Sequence, residues 1–116
     1  MTRGAFRFQL HERLRSSAEY QQVKRCGKRL RARHFGINVA VNGLPHHRLG
    51  LVVQKRFWGA VKRNRIKRCL REWFRQNKSL IALPGKDIVI VSHPGAERLS
   101  SIDTAKELNA ALSVAG

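Results

Sequence analysis

At 116 residues the chain is long enough for one domain with its own core, and 24 Lys/Arg against 7 Asp/Glu leave a net charge of +17. The two cysteines form no C-x-x-C, and no histidine pair at ligand spacing accompanies them, which argues against a disulfide framework or a zinc site. No apolar run approaches the roughly 20 residues of a membrane span, and the amino terminus lacks the h-region of an export signal, so a cytoplasmic location with reduced thiols is expected.

In chain order, residues 1–15 are basic, with Phe6, Phe8, Leu10 and Leu14 spaced among arginines, and are expected to form an extended arm. Ser16-Ser17-Ala18-Glu19 has the form of a capping box. It predicts a short helix from about Ser17 to Cys26, with Gly27 in the left-handed position after it. Phe35, Ile37, Val39 and Val41 alternate with Gly36, Asn38 and Ala40, the period-2 signature of a strand with one buried face. Asn42-Gly43-Leu44-Pro45 turns the chain. Leu49 to Gln54 then reads as a second strand, apolar enough to be central.

Lys55 to Arg75 carries nine Lys/Arg and a single acid, Glu72. At helical spacing Ile66, Cys69, Leu70, Trp73 and Phe74 form one apolar stripe, while Asn64, Lys67, Arg68, Arg71 and Arg75 cover the opposite side. Like charges at i,i+4 repel by a few tenths of a kcal/mol per pair, so a polyanionic partner explains this face better than solvation does. Beyond it, Pro84-Gly85 breaks the chain. Ile88-Val89-Ile90-Val91 is a β-branched run suited to a strand covered on both faces, and His93-Pro94-Gly95 ends it. Thr104-Ala105-Lys106-Glu107 offers another capping box before a last amphipathic helix with Ile102, Ala105, Leu108 and Leu112 on one side. The order α-β-β-(possible short β)-α-β-α predicts an α+β sandwich with helices on a mostly antiparallel sheet.

Charge is unevenly distributed along this order. Residues 1–75 contain 20 of the 24 cations and three acids, so the whole excess lies there, whereas the remainder is balanced. That is the electrostatic footprint of a nucleic-acid binder. An independent hydrolytic site is not expected, because the acids are scattered without a D-x-D or E-x-x-H arrangement and His46-His47 has no carboxylate or cysteine nearby in sequence. The glycines form no phosphate-cradling loop either.

Arg48-Leu49-Gly50-Leu51-Val52-Val53, Lys55-Arg56, Ala60-Val61-Lys62-Arg63-Asn64-Arg65-Ile66-Lys67-Arg68 and Leu70-Arg71-Glu72-Trp73-Phe74-Arg75 together resemble the signature of the bacterial ribonuclease P protein component. R-N-R-I-K-R on a helix defines that family. The match extends to Leu14-Arg15-Ser16, Glu19-Tyr20-Gln21-Gln22-Val23 and Asp87-Ile88-Val89-Ile90-Val91, spanning roughly residues 12–92. The resemblance implies a single domain of the two-layer α-β-β-β-α-β-α type (ribosomal S5 domain 2-like). Its β-α-β crossover through the basic helix would be left-handed, against the usual hand.

The resemblance further implies a subunit of a ribonucleoprotein endoribonuclease that removes the 5′ leader of precursor tRNA. Catalysis would belong to the RNA subunit and its bound magnesium ions, with no cofactor held by the protein alone. The partners implied are that RNA and precursor tRNA. Lys55, Arg56, Lys62, Arg63, Asn64, Arg65, Lys67, Arg68 and Arg71 become candidates for binding the RNA subunit. Tyr20, Lys24, Asn38 and Arg15 become candidates for the leader, in a cleft between the first helix and one sheet face. Three features depart from the family pattern. Lys24 and Asn38 stand where aromatics are common, Trp58 where a turn glycine is usual, and His93 where an arginine is frequent.

Several of these residues also have a purely structural reading. Ile66, Cys69, Trp73, Phe74 and Phe35 are expected in the core. Tyr20 could equally pack the helix on the sheet or offer its ring to a base. Asn64 is a poor helix former amid cations, which favours a functional role. Arg63 and Arg65 flank the stripe, where their stems could pack and their guanidinium groups reach phosphates. A ribosomal or other structural RNA-binding protein would share the charge but not the R-N-R-I-K-R helix. A basic membrane-surface helix is disfavoured, because the stripe belongs inside a compact domain.

Overall fold

A computed structural model describes residues 10–112. The elements are α1 (Ser17–Cys26), β1 (Lys28–Arg31), β2 (Phe35–Val41), β3 (Arg48–Val52), α2 (Ala60–Asn77), β4 (Lys86–Ser92) and α3 (Ser101–Leu112), with 3₁₀ turns at Leu10–Glu12, Lys78–Leu80 and Ala96–Arg98. The strands form one mixed sheet in the order β1-β2-β4-β3. β2 runs antiparallel to both β1 and β4, whereas β3 and β4 are parallel neighbours. Parallel neighbours need a long crossover, and α2 lies within it.

Strand alternation sorts the side chains onto two faces. Phe35, Ile37, Leu49, Ile88 and Ile90 pack with Ile66, Leu70, Trp73 and Phe74 of α2 and Leu108 of α3 into the main core. On the opposite face Val23 of α1, Leu14 and Val89 form a smaller cluster, with Tyr20, Ala40, Val52 and Val91 against it. Because α1 covers only part of this second face, a groove remains beside it.

The α1 capping box forms as expected. The Ser16 hydroxyl accepts from the Glu19 N–H, and the Glu19 carboxylate accepts from the N–H groups of Arg15 and Ser16. Gly27, however, is extended (φ −92°, ψ 167°) rather than left-handed. Glycine is needed there for room, since a Cβ would collide with the carbonyl oxygens of Val23 and Val39.

The third strand of the hairpin region is β1, which precedes the two read from the sequence. Lys28-Arg29-Leu30-Arg31 carries one apolar residue and becomes a strand by pairing with β2. β3 is an edge strand, not a central one. It is apolar because helices cover both its faces, and its outer edge is protected where the Leu14 N–H donates to the Leu49 carbonyl at 3.0 Å. That contact also corrects the expectation of an extended arm over its last residues, which form a 3₁₀ turn and a bridge from Arg13 to Leu49. The rest of the arm, residues 1–9, lies outside the described residues.

α3 starts one turn earlier than the Thr104 box predicts. The Ser100 hydroxyl caps it by accepting from the Asp103 N–H at 3.0 Å. Thr104 is buried inside the helix, and Glu107 binds His34 through both its backbone N–H and Nδ1. Ile102, expected on the packed side, is 69% exposed.

Candidate nucleic-acid interface

α2 turns its apolar stripe inward. Ile66, Leu70, Trp73 and Phe74 are buried, and the Trp73 indole donates to Asn109 of α3. Cys69 is half-buried at the margin, its Sγ 3.7 Å from the Ser101 hydroxyl. Lys62, Asn64, Arg68 and Arg71 are exposed and Lys67 is half-buried. Asn64, Arg68, Arg71, Glu72 and Arg75 line a shallow depression on the outer side. Glu72, the sole acid of the segment, accepts from the Arg75 guanidinium through both oxygens. That hydrogen bond holds its carboxyl below the usual range and so keeps it charged, but the charge is engaged by Arg75 rather than by Arg68 or Arg71.

The R-N-R pair divides by role. Arg65 donates to the carbonyls of Glu97 (2.8 Å) and Leu99 (2.9 Å), tying α2 to the 3₁₀ turn after β4. Arg63 is half-buried, and its Nε has no partner among the described residues. Trp58 accounts for its own departure from the family pattern. It is buried in the main core, and its indole donates to Glu97 at 2.8 Å, fixing the chain that enters α2. Gly59 then caps the helix without a side-chain bond, and no acid occupies the first turn. In the preceding turn Lys55 and Arg56 are exposed; Arg56 donates to Gln54 and lies 4.6 Å over the Phe57 ring.

The groove beside α1 has a volume of about 510 Å³. Tyr20, Lys24 and Asn38 line it, together with Gln21, Arg29, Val52, Gln54, Val89 and Val91. Tyr20 is a packing residue there. Its hydroxyl accepts from the Leu51 N–H at 3.1 Å, and its ring lies so close over Gly50 that a Cβ would sit 2.8 Å from it. Arg15 stands apart from the groove, with its backbone N–H on Glu19. Arg29, Gln21 and Gln54 were not singled out in the sequence. Arg29 could have been reached once Lys28–Arg31 was paired with β2, because its register partner is Asn38.

Helix face and groove meet at one place. Arg13, Lys67 and Arg71 converge beside Tyr20, which also lines the groove. Partial desolvation of its guanidinium, and then the neighbouring charge of Arg13, lower the Arg71 pKa from its ordinary value although the residue as a whole is exposed. A partly buried scaffold holds this junction in place. Arg48 binds Asp87 through two nitrogens (2.8 and 2.7 Å) and Glu19 through a third (2.9 Å), joining α1, β3 and β4. Lys78 reaches Glu12 at 2.7 Å from the far end of α2. Such a surface has the charge and shape that suit an extended polyanion.

Comparison with known proteins gives the family. The family model described as ribonuclease P matches residues 8–116. The ribonuclease P protein component of Syntrophobacter fumaroxidans is 65% identical over 106 residues, covering 91% of this chain and 89% of its own length. That of Syntrophus aciditrophicus is 42% identical over 101 residues, 87% of this chain and 84% of its own. Among solved structures, a Staphylococcus aureus RNase P protein mutant with defective mRNA degradation activity superimposes with a TM-score of 0.81 at 31% identity, covering 89% of this chain and 86% of its own. The Thermotoga maritima RNase P protein gives 0.78 at 33% identity, covering 90% and 99%. With its R-N-R-I-K-R helix set beside a grooved four-stranded sheet, the chain belongs to the bacterial ribonuclease P protein family.

Proposed function

We propose that the chain acts as the RNA-binding subunit of ribonuclease P through two joined surfaces. The α2 face, with Lys62, Arg63, Asn64, Lys67, Arg68 and Arg71 and the neighbouring Lys55 and Arg56, holds phosphates of the RNA subunit. The groove, with Tyr20, Lys24 and Asn38, receives the 5′ leader of precursor tRNA. Arg65 acts mainly by fixing the helix, and Arg15, which stands apart from the groove, contributes to leader binding less than the groove residues do. The reading rests above all on the junction at Arg13, Lys67, Arg71 and Tyr20, where the two surfaces share a rim.

Hydrolysis of the phosphodiester falls to the RNA subunit, with magnesium ions at its centre. The protein contributes electrostatic positioning, which phosphate contacts supply without sequence information. The reaction takes place in the cytoplasm.

Reconstitution with the matching RNA subunit at low magnesium tests this directly. The protein should restore precursor-tRNA cleavage there. Arg68→Ala and Arg71→Ala should weaken assembly and be rescued by more protein or magnesium. A protein that leaves low-magnesium cleavage unchanged would overturn the reading, and loss persisting in the fully assembled, high-magnesium complex would point to a direct chemical role.

A further inference from the structure

The floor of the groove is a map of four strands. Across it run two rows of register partners, Arg29–Asn38–Val89–Gly50 and Arg31–Gly36–Val91–Val52. Successive strand residues alternate faces, so both arginines of β1 belong to the groove face, at the open edge of the sheet. α1 supplies Lys24 from the other side. Lys24, Arg29 and Arg31 are all exposed, and none forms an ion pair among the described residues.

Between these cations the floor offers little for a base to stack on. Asn38, Gly36, Val89, Val91 and Val52 are small or aliphatic. Among the described residues that line the groove, Tyr20 is the aromatic one, with its hydroxyl committed to Leu51 and its ring to Gly50, and the exposed His93 imidazole stands only at the Gly36 end of the floor. Base stacking needs a free ring face. A guanidinium fork needs only a phosphate oxygen.

Resting on the proposal that the groove receives the leader, we infer that this chain holds the leader by its phosphates, with Arg29 and Arg31 of β1 as a second cationic lip opposite Lys24. Base identity is then largely unread, and binding follows backbone charge. Asn38 and Gln54, both lining the groove, donate side-chain amides to the same backbone.

The test uses the reconstituted ribonucleoprotein and three precursor tRNAs: an ordinary leader, an abasic leader that keeps its phosphates, and a leader with uncharged methylphosphonate linkages. Mature tRNA provides the leaderless reference. The abasic substrate should bind within about threefold of the ordinary one, whereas the methylphosphonate substrate should lose roughly tenfold or more, the scale of one lost charge-assisted hydrogen bond. In the folded Arg29→Gln/Arg31→Gln variant, most of the difference between charged and uncharged leaders should vanish. An abasic penalty equal to or larger than the methylphosphonate penalty overturns the inference, as does a variant that keeps the full charge discrimination. Equal affinity for ordinary precursor and mature tRNA would instead remove the underlying assignment of the leader to the groove. Because the substrate series needs no variant, it decides between phosphate and base reading even if the double substitution disturbs β1.

Discussion

Arg65 shows how a motif residue can belong to the fold as much as to the ligand. Its two carbonyl contacts hold the last turn before α3 and join helix to loop. Hydrogen bonds from a charged donor are worth somewhat more than neutral ones, and exposure reduces that gain. Arg65→Ala should therefore lower stability by about 1 kcal/mol, or roughly 4 °C in thermal midpoint for a domain of this size. Arg68→Ala touches no such contact and should stay within about 0.5 kcal/mol. Equal midpoints for the two variants would refute the division of roles. Sequence alone placed Arg65 beside the apolar stripe and Arg68 on the opposite side but left both as RNA-binding candidates, because helical periodicity fixes an angle but not the neighbour found at that angle. Tyr20 was ambiguous for the same reason, and the ring over Gly50 identifies its packing role.

Local signals located most elements well where the hydrogen bonds are themselves local. The α1 capping box is complete, and its acid gives the helix a pH dependence. The Glu19 carboxyl is held below its ordinary 4.5, first by the N–H groups of Arg15 and Ser16 and then by Arg48. A carboxyl whose pKa is lower folded than unfolded binds fewer protons in the native state. Its stabilisation is therefore complete above the unfolded value and is lost as pH falls through the folded one. Urea unfolding followed downward from pH 4.5 should show wild type losing stability more steeply than Glu19→Gln. Parallel pH profiles would exclude Glu19 as a source of that loss. The Thr104 box failed because two frames competed: Ser100 with Asp103, and Thr104 with Glu107. Glu107 is engaged by His34, 73 residues away in sequence, and no local pattern carries that information. β1 was missed on similar grounds, since its strand character comes from its partner rather than from its own four residues.

For the whole molecule, the sheet order and the edge position of β3 were the least accessible features, because an edge strand shielded on both faces and bridged at Leu49 is as apolar as a central one. Charge was the most accessible. The excess of +17 lies in the first two thirds of the chain, and the fold gathers much of it on the α2 face, the groove lips and the rim between them. Acids in the same region are already paired: Glu12 with Lys78, Glu19 with Arg48 and Glu72 with Arg75. Little local negative charge therefore competes with a phosphate chain, and association with the RNA subunit should be driven by counterion release. If about six phosphates are neutralised, the logarithm of the binding constant should fall against the logarithm of salt concentration with a slope of about −4 to −5. Substituting Arg68 or Arg71 by alanine should flatten that slope by about one contact each. Filter binding or fluorescence titration between low and physiological salt would measure it, and a flat salt response would mean that the cationic rim is not the surface the RNA uses.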